Sequence, residues 1–149
     1  MLKGINALLN ADVLYALRAM GHGDDLIIAD SNFPSDSVAR ETVLGELLRI
    51  DASAAEVVRA VLSVYPIDTF VEDAAGRMEV VGEPKTILPV MKEVQTEVSA
   101  VGGPNPMMSI ERYAFYERAK DAYAVIQTGE RRFYGCFALR KGVVGPEEG

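Results

Sequence analysis

Hydrophobic positions recur along the chain with two different periods, which predicts helices that alternate with strands. Helical spacing places apolar residues on one face over residues 11–20, where Asn10 is a suitable N-cap and Gly21 a suitable C′ residue. The next apolar run, residues 26–29, is short and continuous, which is typical of a strand buried on both faces. A helix followed at once by a buried strand indicates a layered α/β fold.

The same patterns predict further elements downstream. Ser53 and Glu56 have the spacing of a capping box, and the helix that they open is expected to end before Pro66. Pro89 suits the first turn of a helix over residues 89–99, and a loop at 102–106 precedes a short helix over 110–119. Extended segments are expected at residues 42–48, 69–71, 78–81, 123–127 and 133–139, the last two as a hairpin around a turn at 128–130.

Composition limits the domain count and the class of partner. The 149 residues suffice for one domain, residues 1–149, and 15 Lys and Arg against 22 Asp and Glu give a formal net charge of −7. This acidity argues against nucleic acid and against an anionic membrane surface, because both are bound through basic patches. No apolar run approaches the roughly 20 residues that span a bilayer. The single cysteine, Cys136, cannot form an intrachain disulfide, which predicts a reducing, cytoplasmic location.

The only histidine, His22, lies between Gly21 and Gly23, shortly before the predicted strand at 26–29. Imidazole both gives and takes protons near neutral pH, and flanking glycines leave the ring open to a ligand. His22 is therefore a candidate general acid/base. The alternative is a helix-terminal histidine whose cationic form interacts favourably with the dipole of the preceding helix.

Asp30 directly follows the same predicted strand. In open α/β sheets, ligands bind outside the carboxyl ends of strands, and a carboxylate there can accept hydrogen bonds from sugar or alcohol hydroxyls. The alternative is an Asx turn that closes the strand, since Ser31 and Asn32 follow.

An aromatic and basic cluster occupies residues 112–118, at the start of the short helix that follows the loop at 102–106. Arg112 has a fork of donors that can hold a hydroxylated ligand. Tyr116 and Tyr134 can each stack on a sugar face and donate a hydrogen bond. The alternative divides the cluster between a core face and a solvated face of one helix.

No pattern for a nucleotide, a metal or a covalent nucleophile is present. Gly21-His22-Gly23 fails the dinucleotide fingerprint, because position 26 is Leu and the glycines precede the strand that they should follow. One His and one Cys, far apart, give no zinc-ligand spacing. Cys136 is expected to be a buried, apolar side chain. The sequence predicts neither a metal nor a cofactor.

Four segments together resemble the D-ribose pyranase and L-fucose mutarotase family (RbsD/FucU). They are Met1-Leu2-Lys3-Gly4-Ile5, Met20-Gly21-His22-Gly23-Asp24 with Ile28-Ala29-Asp30, Arg112-Tyr113-Ala114-Phe115-Tyr116-Glu117-Arg118-Ala119, and Thr128-Gly129-Glu130 with Tyr134-Gly135. The third segment resembles the fucose branch, whereas the ribose branch tends to carry His near Arg112. The chain departs from the family at Cys136, where Asn usually follows Tyr-Gly.

The resemblance implies a compact three-layer α/β/α domain that assembles into a homo-oligomeric ring, commonly a decamer. It also implies an isomerase that interconverts the anomers of a free monosaccharide, foremost L-fucose, without a cofactor. By resemblance, His22 is the general acid/base. The expected substrate-binding residues, which hold sugar hydroxyls or line the pocket, are Asp30, Arg112, Tyr116, Tyr134, Gly135 and Cys136.

The chemistry of mutarotation suits these residues. A proton leaves the anomeric hydroxyl and one reaches the ring oxygen, so that the ring opens and recloses on either face. One imidazole suffices when other side chains hold the sugar hydroxyls. General acid/base catalysis accelerates such a reaction by about 10²–10⁴-fold. Two alternatives stay open: a non-catalytic monosaccharide-binding or regulatory protein that keeps the pocket, and a mutarotase for another sugar such as ribose, which Cys136 motivates.

Overall fold

A computed structural model describes residues 1–149 as five helices and six strands that alternate along much of the chain. In chain order they are α1 (Ala11–Ala19), β1 (Asp25–Ala29), α2 (Ser35–Ala39), β2 (Leu48–Ile50), α3 (Ala54–Leu62), β3 (Ala75–Met78), α4 (Pro89–Ala100), β4 (Met108–Ile110), α5 (Arg112–Lys120), β5 (Ala124–Thr128) and β6 (Phe137–Arg140). None of the helices is long and apolar enough to cross a bilayer.

The strands form one sheet in the order β2-β5-β1-β6-β3-β4, and β6 alone runs against the other five. In register, Leu26 of β1 faces Ala124 of parallel β5 and Leu139 of antiparallel β6. The last residues of β1, β3 and β4 therefore lie at one end of the sheet, beside the first residue of β6. We call this the carboxyl end of the sheet and the opposite end the amino end.

The two faces of β1 enter two separate hydrophobic cores. Leu26 and Ile28 pack with α1, α3 and α4, whereas Ile27 and Ala29 pack with α2 and α5. Burying each of the large aliphatic side chains stabilises the fold by about 1.5–3 kcal/mol. Because both faces of the strand are covered, its residues 26–29 form a continuous apolar run. The α/β class and the three-layer α/β/α architecture are both confirmed.

Several helix boundaries follow the predicted signals. Asn10 caps α1, since its side-chain oxygen accepts a hydrogen bond from the backbone N–H of Val13 at 3.0 Å. Ser53 and Glu56 form the predicted capping box of α3, and Pro89 is the first residue of α4. Each of these signals depends on residues within one turn of the start of the helix, so it can be recognised from the sequence alone.

The end of α1 differs from the prediction at Gly21. Its backbone N–H donates to the Oδ2 atom of Asp24 at 2.7 Å. The left-handed backbone conformation lies instead at Gly23, with φ +89°. The glycine that the turn into β1 requires is therefore Gly23, two residues after the predicted Gly21.

Three strand predictions are wrong or displaced. Most of residues 42–48 form turns around Gly45, which has φ +75°, and β2 begins only at Leu48. Residues 69–71 are not a strand, because Phe70 donates its N–H to the Asp68 side chain at 2.9 Å and the chain turns there. Most of residues 78–81 lie beyond β3, which spans Ala75–Met78.

The predicted hairpin over residues 123–139 is also wrong. Both of its strands exist as β5 and a shortened β6, but β1 lies between them and pairs with each. Residues 129–136 therefore cross the carboxyl end of β1 before the chain returns. This crossing brings the loop before β6 close to Asp30, where a local hairpin would not have taken it.

Candidate active site

A cavity of about 360 Å³ opens at the carboxyl end of the sheet. Its walls come from segments that follow β1, end β3, follow β4 and precede β6. The lining residues are Asp30, Asn32, Phe33, Met78, Arg112, Tyr116, Phe133, Tyr134 and Cys136. A few polar groups set among apolar and aromatic walls are typical of a small-molecule site.

Asp30 is buried and anchors the floor of this cavity. Its Oδ1 atom accepts hydrogen bonds from the backbone N–H groups of Asn32 and Phe33 at 3.0 and 2.9 Å. Its Oδ2 atom accepts from the N–H of Gly135 at 3.1 Å. Both interpretations of Asp30 therefore hold together: it forms an Asx turn after β1, and it also lines the cavity.

Cys136 lies against Asp30 and is almost fully buried. Burial, and after it the negative charge of Asp30, raises the pKa of the Cys136 thiol. The thiol therefore stays protonated at neutral pH, and a thiolate nucleophile is excluded. The predicted burial of Cys136 is confirmed.

Arg112 is the first residue of α5 and reaches across Tyr116. Its Nε donates to the Tyr116 hydroxyl at 3.3 Å, and its guanidinium carbon lies 5.5 Å from the centre of the Tyr116 ring. The Tyr116 ring packs against Phe33 with centroids 5.4 Å apart. Arg112 has no carboxylate partner, so its remaining donors are available to a ligand.

The N-cap of α5 fixes the place of Arg112. Glu111 accepts hydrogen bonds from the N–H groups of Tyr113 and Ala114 at 2.9 and 3.0 Å. These backbone donors hold the pKa of the Glu111 carboxyl below its usual range. A carboxylate at this position is also favoured by the helix dipole, so α5 begins where β4 ends.

Tyr134 is the only residue other than glycine with a positive φ, at +62°. Its hydroxyl accepts a hydrogen bond from the N–H of Val81 at 3.3 Å, which ties the loop before β6 to the segment after β3. A left-handed conformation at a non-glycine residue costs on the order of 1–3 kcal/mol and persists only where the surrounding contacts impose it. Such residues cluster at functional sites.

His22 is not part of this cavity. It precedes β1 at the amino end of the sheet, whereas Asp30 follows β1 at the carboxyl end. The five residues of β1 span about 16 Å at about 3.3 Å per residue. Six of the expected residues lie together at this cavity within one chain, and Gly135 is behind Asp30. They are Asp30, Arg112, Tyr116, Tyr134, Gly135 and Cys136. His22 of the same chain does not lie near them.

His22 pairs instead with Asp68, which the sequence analysis missed. The His22 Nε2 atom lies 3.2 Å from Asp68 Oδ2, and the Asp68 side chain is buried while that of His22 is 45% exposed. An ionised carboxylate only accepts hydrogen bonds, so this pair places a proton on Nε2 and leaves Nδ1 with a lone pair. The Phe70 ring packs edge-on against the imidazole at 5.5 Å. His22 is thus an oriented acid/base group with one free nitrogen.

At the end of α1, the hydrogen bonds to the last carbonyl groups come from Lys141 and not from His22. The carbonyl oxygens of Leu17 and Met20, at the end of α1, accept hydrogen bonds from the Lys141 ammonium. Burial lowers the pKa of Lys141. The side-chain hydrogen bond of His22 goes to Asp68 instead.

Comparison with known proteins places these features in a family. A profile described as the RbsD / FucU transport protein family matches residues 3–144. The fucose mutarotase of Homo sapiens is 42% identical over 146 residues, which cover 96% of this chain and 94% of that protein. The L-fucose mutarotase of Histophilus somni is 36% identical over 145 residues, 96% of this chain and 97% of that protein. The crystal structure of the fucose mutarotase from Streptococcus pneumoniae in complex with L-fucose has a TM-score of 0.86 at 34% identity and covers 97% of this chain and 100% of that one.

Proposed function

This chain belongs to the RbsD/FucU family, and we propose that it is an L-fucose mutarotase, an isomerase that interconverts the α and β anomers of the free sugar. One observation carries the proposal: Asp30 and Arg112, which has no carboxylate partner, line one cavity of about 360 Å³ with aromatic walls. Relatives that match almost the whole chain are fucose mutarotases. A neutral sugar also needs no steering by the net charge of −7.

The reaction needs one group that takes a proton and one that gives a proton. The anomeric hydroxyl loses its proton to a base while the bond between C1 and the ring oxygen breaks. The ring oxygen receives a proton, and C1 becomes an aldehyde carbon. Rotation about the C1–C2 bond and reversal of these steps give the other anomer. Nothing is oxidised or transferred, so an imidazole that takes and returns a proton suffices.

We assign this proton transfer to His22, because Asp68 orients the ring and leaves its Nδ1 atom free. Asp30, Arg112 and Tyr134 then hold the sugar. Since His22 lies at the opposite end of β1 from the cavity, His22 of one copy serves the cavity of a neighbouring copy. Such a head-to-tail contact closes into a ring when its rotation permits, and a decamer is the expected size. We also propose a cytoplasmic location, with which the single, unpaired cysteine agrees.

Exchange between the two anomers of L-fucose, followed by saturation-transfer NMR, tests this function. The wild-type protein is expected to accelerate the exchange above its rate in buffer. His22→Ala is expected to return it to the buffer rate, while circular dichroism shows an unchanged fold. A His22→Ala variant that keeps the wild-type rate would contradict the assignment.

A second candidate is a mutarotase for a different sugar, and Cys136 is the observation that favours it. Its protonated thiol lies in the cavity wall against Asp30, so it replaces the stronger hydrogen-bonding amide of the family's usual Asn. The same exchange measurement on L-fucose, D-ribose and D-galactose separates the two candidates. The fastest exchange is expected with L-fucose.

A further inference from the structure

Glu130 is a buried carboxylate that the proposed reaction does not use. It follows β5, and only 5% of its side chain is exposed. Its Oε1 atom accepts from the N–H of Arg132 at 3.1 Å, and its Oε2 atom accepts from the N–H of Ala54, the first residue of α3, at 3.3 Å. The Arg132 guanidinium first, and then these backbone donors, lower the pKa of Glu130 to about 2. Glu130 is therefore ionised at neutral pH.

Arg132 extends this network to α4. Its Nε and Nη2 atoms donate to the two carboxylate oxygens of Glu130 at 2.9 and 3.0 Å. Its guanidinium also pairs with Glu93 on α4. A bidentate pair between arginine and a carboxylate fixes geometry as well as charge. Glu130 thus links the start of α3 to the loop of residues 131–136. Through Arg132, this network also links α4 to the same loop.

Glu130 also supports the floor of the cavity. A Cβ atom at Gly135 would lie 2.8 Å from Glu130 Cγ and 3.2 Å from Asp30 Cβ, so this glycine is packed between the two acids. The Gly135 N–H donates to Asp30. The backbone carbonyl of Glu130 accepts from the N–H of Ser31 at 2.8 Å. Glu130 therefore contacts both segments on which the cavity floor is built.

Tyr134 lies between the two fixed points of the loop. On one side Glu130 binds Arg132, and on the other Gly135 binds Asp30. A positive φ of +62° at a tyrosine persists only under such constraint. Loss of either fixed point allows Tyr134 to relax, and the cavity wall then moves.

We propose that Glu130 is a positioning residue for the sugar: with Arg132 it keeps residues 131–136 in the shape that presents Phe133 and Tyr134 to the cavity. The identity of the sugar rests on the proposed function. Because proton transfer is assigned to His22, at the other end of the sheet, Glu130 affects sugar binding more than the chemical step. The KM and the kcat of a Glu130 variant therefore change by different amounts.

Glu130→Gln is the sharpest variant, since it keeps the size of the side chain and removes its charge. An amide offers one acceptor oxygen where this network uses two, so Arg132 or Ala54 loses its partner. We expect the KM for L-fucose in saturation-transfer exchange to rise about tenfold, while kcat stays within about twofold. The Kd for L-fucose from calorimetry is expected to rise with the KM.

Arg132→Gln tests the same network if Glu130→Gln does not fold. The Arg132 side chain is 46% exposed, so its replacement leaves no buried cavity. The variant breaks the bidentate pair and keeps the bond between Glu130 and Ala54, so a smaller rise in KM is expected. The matched control is Arg59→Gln, which breaks the Arg59–Glu97 pair of 2.6 Å between the same helices, α3 and α4. The Arg59 side chain forms no hydrogen bond or ion pair with residues 131–136, and its variant is expected to keep the wild-type KM.

The outcomes separate the two proposals. Wild-type exchange no faster than in buffer overturns the proposed function, and the Kd values still test the role of Glu130. With an active wild type, an unchanged KM and Kd in folded Glu130→Gln and Arg132→Gln overturn the positioning role. A loss of kcat at constant KM also overturns it, because Glu130 would then act on the chemical step. An equal rise of KM in Arg59→Gln overturns it as well, because such a rise means a general effect on the fold.

Discussion

Two buried acids, Asp30 and Asp68, each hold a neighbouring group in the orientation that the proposed reaction needs. Asp30 accepts three backbone N–H bonds and fixes the cavity floor, while Asp68 pairs with His22. The two acids lie at opposite ends of the sheet. Binding and proton transfer are therefore assigned to separate groups of residues, and substitutions can test them one at a time.

Asp68→Asn is expected to reduce kcat for anomer exchange at least tenfold, with little change in KM. The amide keeps the size of the side chain but loses the charge that stabilises a protonated imidazole, and general acid/base catalysis supplies about 10²–10⁴-fold in all. Saturation-transfer NMR over a range of L-fucose concentrations gives both constants. Asp36→Asn is the control, because Asp36, on α2, forms an exposed pair with Arg40, which directly follows that helix. Wild-type kcat in Asp68→Asn would refute the role of this pair.

Single residues were predictable where the signal is local. Asp30 follows a strand whose apolar run is evident, and Arg112 follows a loop rich in glycine and proline. Asp68 carries no such signal, since 46 positions separate it from His22 and only the fold makes them neighbours. The unusual backbone of Tyr134 was equally hidden, because contacts that constrain it join its loop to the segments after β1 and β3.

Among the elements, helices followed the sequence more closely than strands. The caps of α1 and α3 act through bonds to residues three positions away, and both are where the pattern predicts them. Strand pairing is not local, so nothing in residues 123–139 revealed that β1 separates β5 from β6. The position of β3 was missed for a similar reason: Gly76 is needed beside β4, where an added Cβ would overlap with Ile110 Cδ1.

The segment after β6 packs on the segment that carries Asp68, and Gly142 is their point of closest contact. A Cβ at Gly142 would lie 2.6 Å from the carbonyl oxygen of Ile67 and 2.8 Å from the Cα atom of Asp68. Gly142→Ala is therefore expected to lower the free energy of unfolding by about 1–3 kcal/mol. It is also expected to reduce anomer exchange, because backbone must move at Asp68.

Urea unfolding at pH 7 measures this change in stability, and the exchange rate measures the effect on Asp68. Gly145→Ala is the matched control, since the nearest atom to its added Cβ would lie 3.6 Å away. An equal loss of stability in both variants would show that close packing at Gly142 is not the cause.

At the scale of the whole molecule, we propose that the complete site forms only between copies of the chain. The cavity opens at the carboxyl end of the sheet, and His22 lies at the amino end. A ring in which each copy offers its His22 to the cavity of the next copy completes one site at every contact. In such a ring, the rate of exchange depends on contacts between neighbouring copies, because one copy supplies His22 and the next copy supplies the cavity.

Rings that mix two inactive variants test this account most directly. His22→Ala keeps the cavity and lacks the acid/base group, whereas Arg112→Ala keeps His22 and impairs the cavity. Each variant alone is expected to exchange L-fucose anomers at about the buffer rate. In rings formed by equal co-expression, about one quarter of the contacts join an intact His22 to an intact cavity, so about one quarter of the wild-type rate is expected. No recovery in mixed rings, with an active wild type, would contradict the claim that neighbouring copies share the site.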